Sequence, residues 1–220
     1  MKNTVTQYPY KDRPYILKGD INNFNFIYKL YTKDFPLNER KDYHILCSLL
    51  EKDQYKLLLL KHPKINDILG YALIYDLSSL GALWLDYLAI NANYRGMGYG
   101  TYFFQEIPNQ FGPEITGMLL EVEIPDQTDR INFYKQKKRI QFYEKRGAKR
   151  LNLKYLFPSA EGEFPMHLYL KTNLNLNSLS GFMVKKILSS VFKGLHSDVA
   201  ESNFILQKNL AAIADQVILN

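Results

Sequence analysis

Tyr94-Arg95-Gly96-Met97-Gly98-Tyr99-Gly100 follows directly on the apolar run Leu83-Trp84-Leu85-Asp86-Tyr87-Leu88-Ala89-Ile90. A run of this length, aromatic-rich and ended by Asn91-Ala92-Asn93, reads as a buried strand. Beyond the glycines, Thr101-Tyr102-Phe103-Phe104-Gln105-Glu106-Ile107 reads as the first turns of a helix. Strand, glycine turn, helix is a phosphate-binding geometry. Glycine lets the backbone approach a ligand closely, and the helix start offers unbonded N–H groups and the positive end of the dipole. Arg95 adds a permanent charge with a fork suited to phosphate oxygens. The expected ligand is a phosphorylated cofactor.

The spacing narrows the choice. The glycines run G-x-G-x-G, unlike the G-x-G-x-x-G of a dinucleotide fold, and no Lys-Ser or Lys-Thr pair follows them as in a P-loop. What fits is Arg-x-x-Gly-x-Gly, here Arg95, Gly98 and Gly100. After a strand ending Leu-Ala-Ile, this resembles the acetyl-CoA signature of the GNAT N-acetyltransferases. A second stretch, Phe142-Tyr143-Glu144-Lys145-Arg146-Gly147-Ala148, is similar to the fourth helix of that family, and Leu120-Glu121-Val122-Glu123 looks like its fifth strand.

The order of elements agrees with the resemblance. Tyr15-Ile16-Leu17 reads as a strand, Ile21 to Tyr31 and Asn38 to Lys52 as two helices broken at Phe35-Pro36. Tyr55 to Leu60 and Leu69 to Tyr75 read as strands around the turn His62-Pro63-Lys64. Ile115 to Ile124 is another, with Glu121 and Glu123 on one face by two-residue alternation. The loop Pro125 to Asp129 ends in a helix cap. The stretch Pro125 to Lys138 is long for the family and would fold over the substrate opening. A helix through Arg139 to Arg146 stops at Gly147, and two strands follow, Arg150 to Phe157 and Met166 to Leu170, joined by a loop from Pro158 to Pro165. The expected architecture is an α/β (α+β) GNAT domain, residues 15–171, with a mixed central sheet, flanking helices and a C-terminal helical extension, residues 172–220. In the extension, Leu179, Phe182, Met183, Ile187, Val191 and Phe192 recur at helical spacing, as do Val199, Leu206, Leu210, Ile213 and Val217. Two amphipathic helices follow, packing on the core or across a homodimer interface.

Composition sets the outer bounds. The 220 residues are 46% hydrophobic and 23% charged, ordinary for a globular chain. No apolar run approaches the roughly 20 residues that span a bilayer, and the polar start, Met1 to Pro14, lacks a signal-peptide core. One cysteine, Cys47, excludes an internal disulfide and points to the cytoplasm. The four histidines are scattered without partners at metal-ligand spacing, so no metal is expected. Residues 130–154 hold ten Lys or Arg against one acid, Glu144, a local charge of +9 that leaves −3 for the rest of a chain whose net charge is +6. Nucleic acid would suit such a segment, but Ile140, Phe142 and Tyr143 give it a face to bury, which favours a solvated helix beside an anionic cofactor.

The resemblance implies a chemistry: transfer of an acyl group, in the first instance acetyl, from acyl-CoA to a primary amine of a small molecule or protein. It implies that the backbone of Arg95, Gly96, Met97, Gly98, Tyr99, Gly100 and Thr101 seats the pyrophosphate, and that Leu88, Ala89 and Ile90 pair with the pantetheine arm, the Leu88 N–H polarising the thioester. Tyr143 matches the family tyrosine that protonates the departing sulfur. Asp86 and Glu123, with Glu121 as an alternative, would take the proton of the amine where their strands splay. Gln136 stands where the family often has asparagine, and would still bond the pantetheine; Arg139 replaces a small residue and would meet a cofactor phosphate or another acid. The alternative reading is a GNAT fold that binds acyl-CoA as a sensor or structural element without turnover.

Overall fold

The apolar runs become the central strands of one sheet. In the computed structural model, which describes residues 12–220, β1 (Tyr15–Lys18), β2 (Tyr55–His62), β3 (Ile65–Leu77), β4 (Ala82–Ile90) and β5 (Gly117–Glu123) lie side by side in chain order. Next to β5 come β8 (Gly162–Thr172) and β6 (Ala148–Arg150), and β7 (Tyr155–Ser159) pairs with the first half of β8. Only β4 and β5 run parallel in this sheet, and α3 (Tyr99–Glu106) makes the crossover that a parallel pair requires. The stretch Met1 to Pro14 lies largely outside the described residues.

Alternation along the strands divides the apolar side chains between two faces. Leu83, Leu85, Met118, Leu120 and Val122 meet α3 and α4 (Arg130–Glu144), whose Phe103, Phe104 and Tyr143 close that layer. Trp84, Tyr87 and Leu119 face the opposite layer of α1 (Ile21–Asp34), α2 (Tyr43–Leu50) and α5 (Gly181–Leu195). Helix α1 starts where Asp20 accepts the Asn23 N–H at 2.8 Å while the Asn23 side chain accepts the Asp20 N–H at 3.1 Å, a reciprocal cap. Its buried Phe24, Ile27 and Tyr31 keep one stripe.

Four expectations need correction. The second helix does not begin at Asn38: Leu37–Glu39 forms a 3-10 turn and α2 starts at Tyr43, because Asn38 to Asp42 offers no apolar face and its Lys41 N–H donates to the Tyr31 hydroxyl instead, at 2.7 Å. Helix α4 reaches back to Arg130, so the long loop expected over the opening ends at Asp129, whose carboxylate accepts the Asn132 N–H at 3.1 Å. The strand expected from Arg150 to Phe157 is two strands, β6 and β7. The loop expected from Pro158 to Pro165 is a tight hairpin closed by the Ser159–Gly162 pair. Pro165 is tolerated inside β8 because β5 pairs with β8 only from Met166 onward.

The C-terminal segment is built into the same core. Val184, Ile187, Leu188, Val191, Phe192 and Leu195 of α5 are buried with the sheet residues, whereas Phe182, about 200° around the helix from Val184, is 66% exposed. Helix α6 (Ser202–Ala211) buries Ile205. Val217 does not continue that helix. It sits in β10 (Gln216–Ile218), opposite Leu179 of β9 (Ser178–Ser180). Arg150 and Asn220 exchange backbone hydrogen bonds of 3.0 and 2.9 Å, tying the chain end to the main sheet's edge.

Gly181, where β9 passes into α5, lies against β10's approach: a Cβ there would stand 1.9 Å from the Ala214 carbonyl oxygen. Gly181→Ala is expected to lower stability by about 1–3 kcal/mol, read as a lower urea midpoint at unchanged slope.

Candidate active site

Where β4 and β5 stop pairing, a cleft opens. Their parallel ladder ends at the Leu85–Leu120 pair, and beyond it the two strands part around a cavity of about 460 Å³. A β-bulge shapes its floor. Leu73 of β3 lies opposite Tyr87 and Ile74 opposite Leu85, so Asp86 is one residue too many in β4. The extra residue turns Asp86 to the same side as Tyr87 and lines the cleft with its carboxyl group.

The bulge also leaves backbone groups at the open edge. The Asn91 N–H donates to Leu69 O of β3 at 2.9 Å. By the alternation of an antiparallel ladder, the N–H groups of Leu88 and Ile90 then face away from β3, toward the cleft. The Ile90 carbonyl there accepts from Arg95 Nε at 2.8 Å. Leu88 therefore offers a donor where the pantetheine arm was expected.

The glycine turn is open. Gly96 and Gly98 have φ of +80° and +87°, and an added Cβ at either would meet nothing within 4 Å, so bare backbone fronts solvent. Gly98 caps α3, whose first helical bond is Tyr102 N–H to Gly98 O at 3.1 Å. The Gly100 and Thr101 N–H groups thus emerge at the helix start without intrahelical acceptors. Gly100 serves packing: a Cβ would lie 3.4 Å from both Ile90 and Phe142, so α3 sits close on β4 and α4. These features suit a pyrophosphate held by backbone donors.

Several side chains depart from their expected use. Arg95 does not reach along the turn; its guanidinium donates to Asp34 at 2.7 Å, clasping the end of α1 to the end of β4. Gln136 accepts the Asp126 N–H at 2.9 Å and does not line the cleft. Arg139 does line it and forms an ion pair with Glu123, so of the two partners expected for it, an acid is the one engaged. The Thr101 hydroxyl accepts from Arg146, which also lies 3.8 Å over the Phe142 ring. Met97 is 56% exposed and Tyr99 is buried, so neither side chain sits in the cleft.

The acids sit in a partly buried setting. Burial raises Asp86 to about 6, against the pull of the Lys41 charge and the Tyr55 hydroxyl that donates to it at 2.5 Å. Burial also raises Glu121 to about 8, although the Tyr155 hydroxyl donates to it. Glu39 reaches the same cleft from the 3-10 turn after α1, and burial, then the charge of Glu123, raises it too. One oxygen of Glu123, Oε2, is buried without a hydrogen-bond partner. Tyr143, packed 5.1 Å from the Phe104 ring, is pushed up to about 12 by burial and keeps its proton at neutral pH. Sequence reasoning missed Glu39, Lys41, Tyr55 and Tyr155, whose relation to Asp86, Glu121 and Glu123 comes into being only in the fold. Among the described residues, no group of three or more His, Cys, Asp or Glu side chains is placed to hold a metal ion, and no helix is long and apolar enough to cross a membrane.

A glycine-walled helix start beside two parting strands, with a backbone donor on one strand and a protonated tyrosine across the gap, is the layout of an acyl-CoA-dependent N-acyltransferase. The sequence model of the acetyltransferase (GNAT) family matches residues 24–138, and the chain belongs to that family. It is an enzyme of the N-acetyltransferase class. A protein from Bacteroides thetaiotaomicron described as a GNAT-family acetyltransferase shares the fold with a TM-score of 0.65 at 18% identity, covering 82% of this chain and 99% of that one. The ribosomal-protein-S18-alanine N-acetyltransferase of Escherichia coli superposes with a TM-score of 0.53 at 14% identity, over 74% of this chain and 99% of its own. Arabidopsis thaliana NAA60 in complex with acetyl-CoA does so with a TM-score of 0.50 at 11% identity, over 73% and 99%. No curated protein sequence matches the chain.

The Glu121 shift has a consequence for stability. Its folded value, about 8, lies above the ordinary 4.5, so the folded state holds that proton more tightly. The associated stabilisation is full below pH 4.5 and lost as pH rises through 8. Glu121→Gln is expected to flatten the fall of Tm between those limits and to exceed the wild type above pH 8. Parallel Tm–pH curves for the two proteins would contradict the shift.

Proposed function

We propose that the enzyme transfers the acetyl group of acetyl-CoA to a primary amine that arrives as a cation, on a small molecule or a protein. One observation carries the reading: Glu39, Asp86, Glu121 and Glu123 line a single cleft of about 460 Å³, with Tyr143 across from them. The Asp86 carboxylate attracts an ammonium group, the protonated Glu39 and Glu121 accept its N–H groups through their carbonyl oxygens, and the ammonium must lose a proton before its nitrogen can attack.

Acetyl-CoA supplies the acyl group already activated as a thioester. In this reading the N–H groups from Gly96 to Thr101 hold the pyrophosphate, with the dipole of α3 behind them. The backbone edge of Leu88 to Ile90 aligns the pantetheine as an added strand would. The Leu88 N–H polarises the carbonyl oxygen, a contribution of about 3 kcal/mol for a preorganised donor. Asp86, ionised above about pH 6, takes the ammonium proton directly or through water. The bond between nitrogen and the acyl carbon forms and the carbon–sulfur bond breaks; Tyr143 gives its hydroxyl proton to the sulfur, and the second proton lost by the nitrogen returns through water to the Tyr143 oxygen. Glu123 is the second acid assigned to proton removal; it is engaged by Arg139, so its part is to hold the amine. The unpaired Cys47 supports a reducing compartment, the cytoplasm.

The test begins with a thermal shift on adding acetyl-CoA, followed by thiol release over a panel of amines. Stabilisation with turnover of cationic amines is expected, with KM rising as salt screens the acids. Stabilisation without turnover of any amine would leave a binding protein. Tyr143→Phe is expected to lower kcat by roughly 10²- to 10⁴-fold while acetyl-CoA affinity stays within a few-fold; a kcat near wild type would remove Tyr143 from the chemistry.

A further inference from the structure

Lys41 is the buried cation behind the acids. It lies in the connection between α1 and α2 and is only 8% exposed. A lysine is rarely buried unless it is paired. Its partner comes from the far end of the chain: Lys41 Nζ donates to Asp198 Oδ1 at 3.1 Å and Oδ2 at 3.3 Å, in the connection between α5 and α6. The backbone at Lys41 is held as well, since its N–H donates to the Tyr31 hydroxyl at 2.7 Å and the Tyr31 ring meets Tyr87 edge-on at 4.8 Å, beside the bulge.

The surrounding charges give this placement its meaning. The Lys41 charge acts on Asp86 of β4, on Glu121 of β5 and on His196 at the end of α5. Asp86 in turn faces Tyr55 of β2, which donates to it, and the negative charge of Asp198. Glu121 faces Tyr155 of β7 and the carboxyl of Glu39. Lys33, Arg95, Lys135 and Arg139 line the cleft itself, and of these Arg95 is engaged by Asp34 and Arg139 by Glu123. Lys41 is the cation whose charge acts on both Asp86 and Glu121.

We propose that Lys41 is a positioning residue for proton removal: clamped by Asp198 of the C-terminal segment, it supplies the counter-charge that lets Asp86 serve as the base. The C-terminal segment then takes part in the reaction through one ion pair, besides packing on the sheet. This rests on the assignment of Asp86 under the proposed function.

The pH dependence of kcat/KM separates the two ideas. Asp86→Asn should abolish the acidic limb of the profile; a limb that stays in place removes Asp86 as the base, and the Lys41 proposal with it. With that limb assigned, Lys41→Met should move it to higher pH by about one unit or more, and Lys41→Arg should return it toward the wild-type position. A limb unmoved in Lys41→Met, in protein whose circular dichroism is native, overturns the proposal whatever happens to Tm. Should Lys41→Met not fold, Asp198→Ala reads the same contact. Released into water, the ammonium no longer offsets Asp86, and the limb should again move to higher pH. A limb that stays, or that moves to lower pH because only a negative charge was lost, overturns the clamp.

Discussion

The parting of β4 from β5 is the constraint on which the site depends. A parallel pair held by its crossover helix would ordinarily run to the strand ends, and here it stops at Leu85 and Leu120. The bulge at Asp86 lies one residue beyond that point. An extra residue sharpens the local twist, so β4 swings away from β5 while staying bonded to β3 as far as Asn91. A gap, a backbone donor at Leu88 and an inward carboxyl at Asp86 all follow from this one irregularity. The glycine turn then starts where the diverging strand delivers the chain, and α3 begins within reach of the gap.

Carboxyl groups in such a place carry a desolvation cost, which the fold meets with hydroxyls. Tyr55 donates to Asp86 and Tyr155 to Glu121. Both phenols are buried, and both are strand residues whose rings complete the core while their tips serve the acids. Tyr71 plays a similar part for Asp34, which also holds Arg95. Three of the chain's 17 tyrosines are thus explained by packing and by the acids they serve. Tyr143 differs in facing the cleft from the α4 side, opposite the acids' layer.

The segment after β8 is part of the same fold. Its helices bury a full stripe against the sheet, its last residues pair with Arg150, and its Asp198 reaches Lys41 behind the acids. An appendage tethered only by its own packing would contribute stability. One that engages the buried Lys41 also bears on the carboxyls that its charge reaches, Asp86 and Glu121, because a charge in a low-dielectric setting is felt farther than one in water.

Much of the fold was legible in the chain itself. The apolar runs, the glycines at Gly96 and Gly98, and the Pro36 break are local signals, and local sterics and hydrophobic periodicity decide them. They located β2 through β5, α1, α3 and the seat for a phosphorylated ligand, and the Phe142-Tyr143-Glu144 stretch named the chemistry. Where local signals were weak the reading slipped, as at Val217, whose apolar side chain suits a strand as well as a helix. What the chain could not disclose is who stands beside whom. Arg95 reads as a phosphate ligand until Asp34 is found 2.7 Å away. Glu123 reads as a free base until Arg139 crosses the cleft to it. Lys41 carries no local signal at all, and its partner Asp198, in the segment after α5, is found only in the fold. Protonation and pairing depend on burial and on neighbours distant in sequence, and those come into being only when the sheet closes and its layers pack.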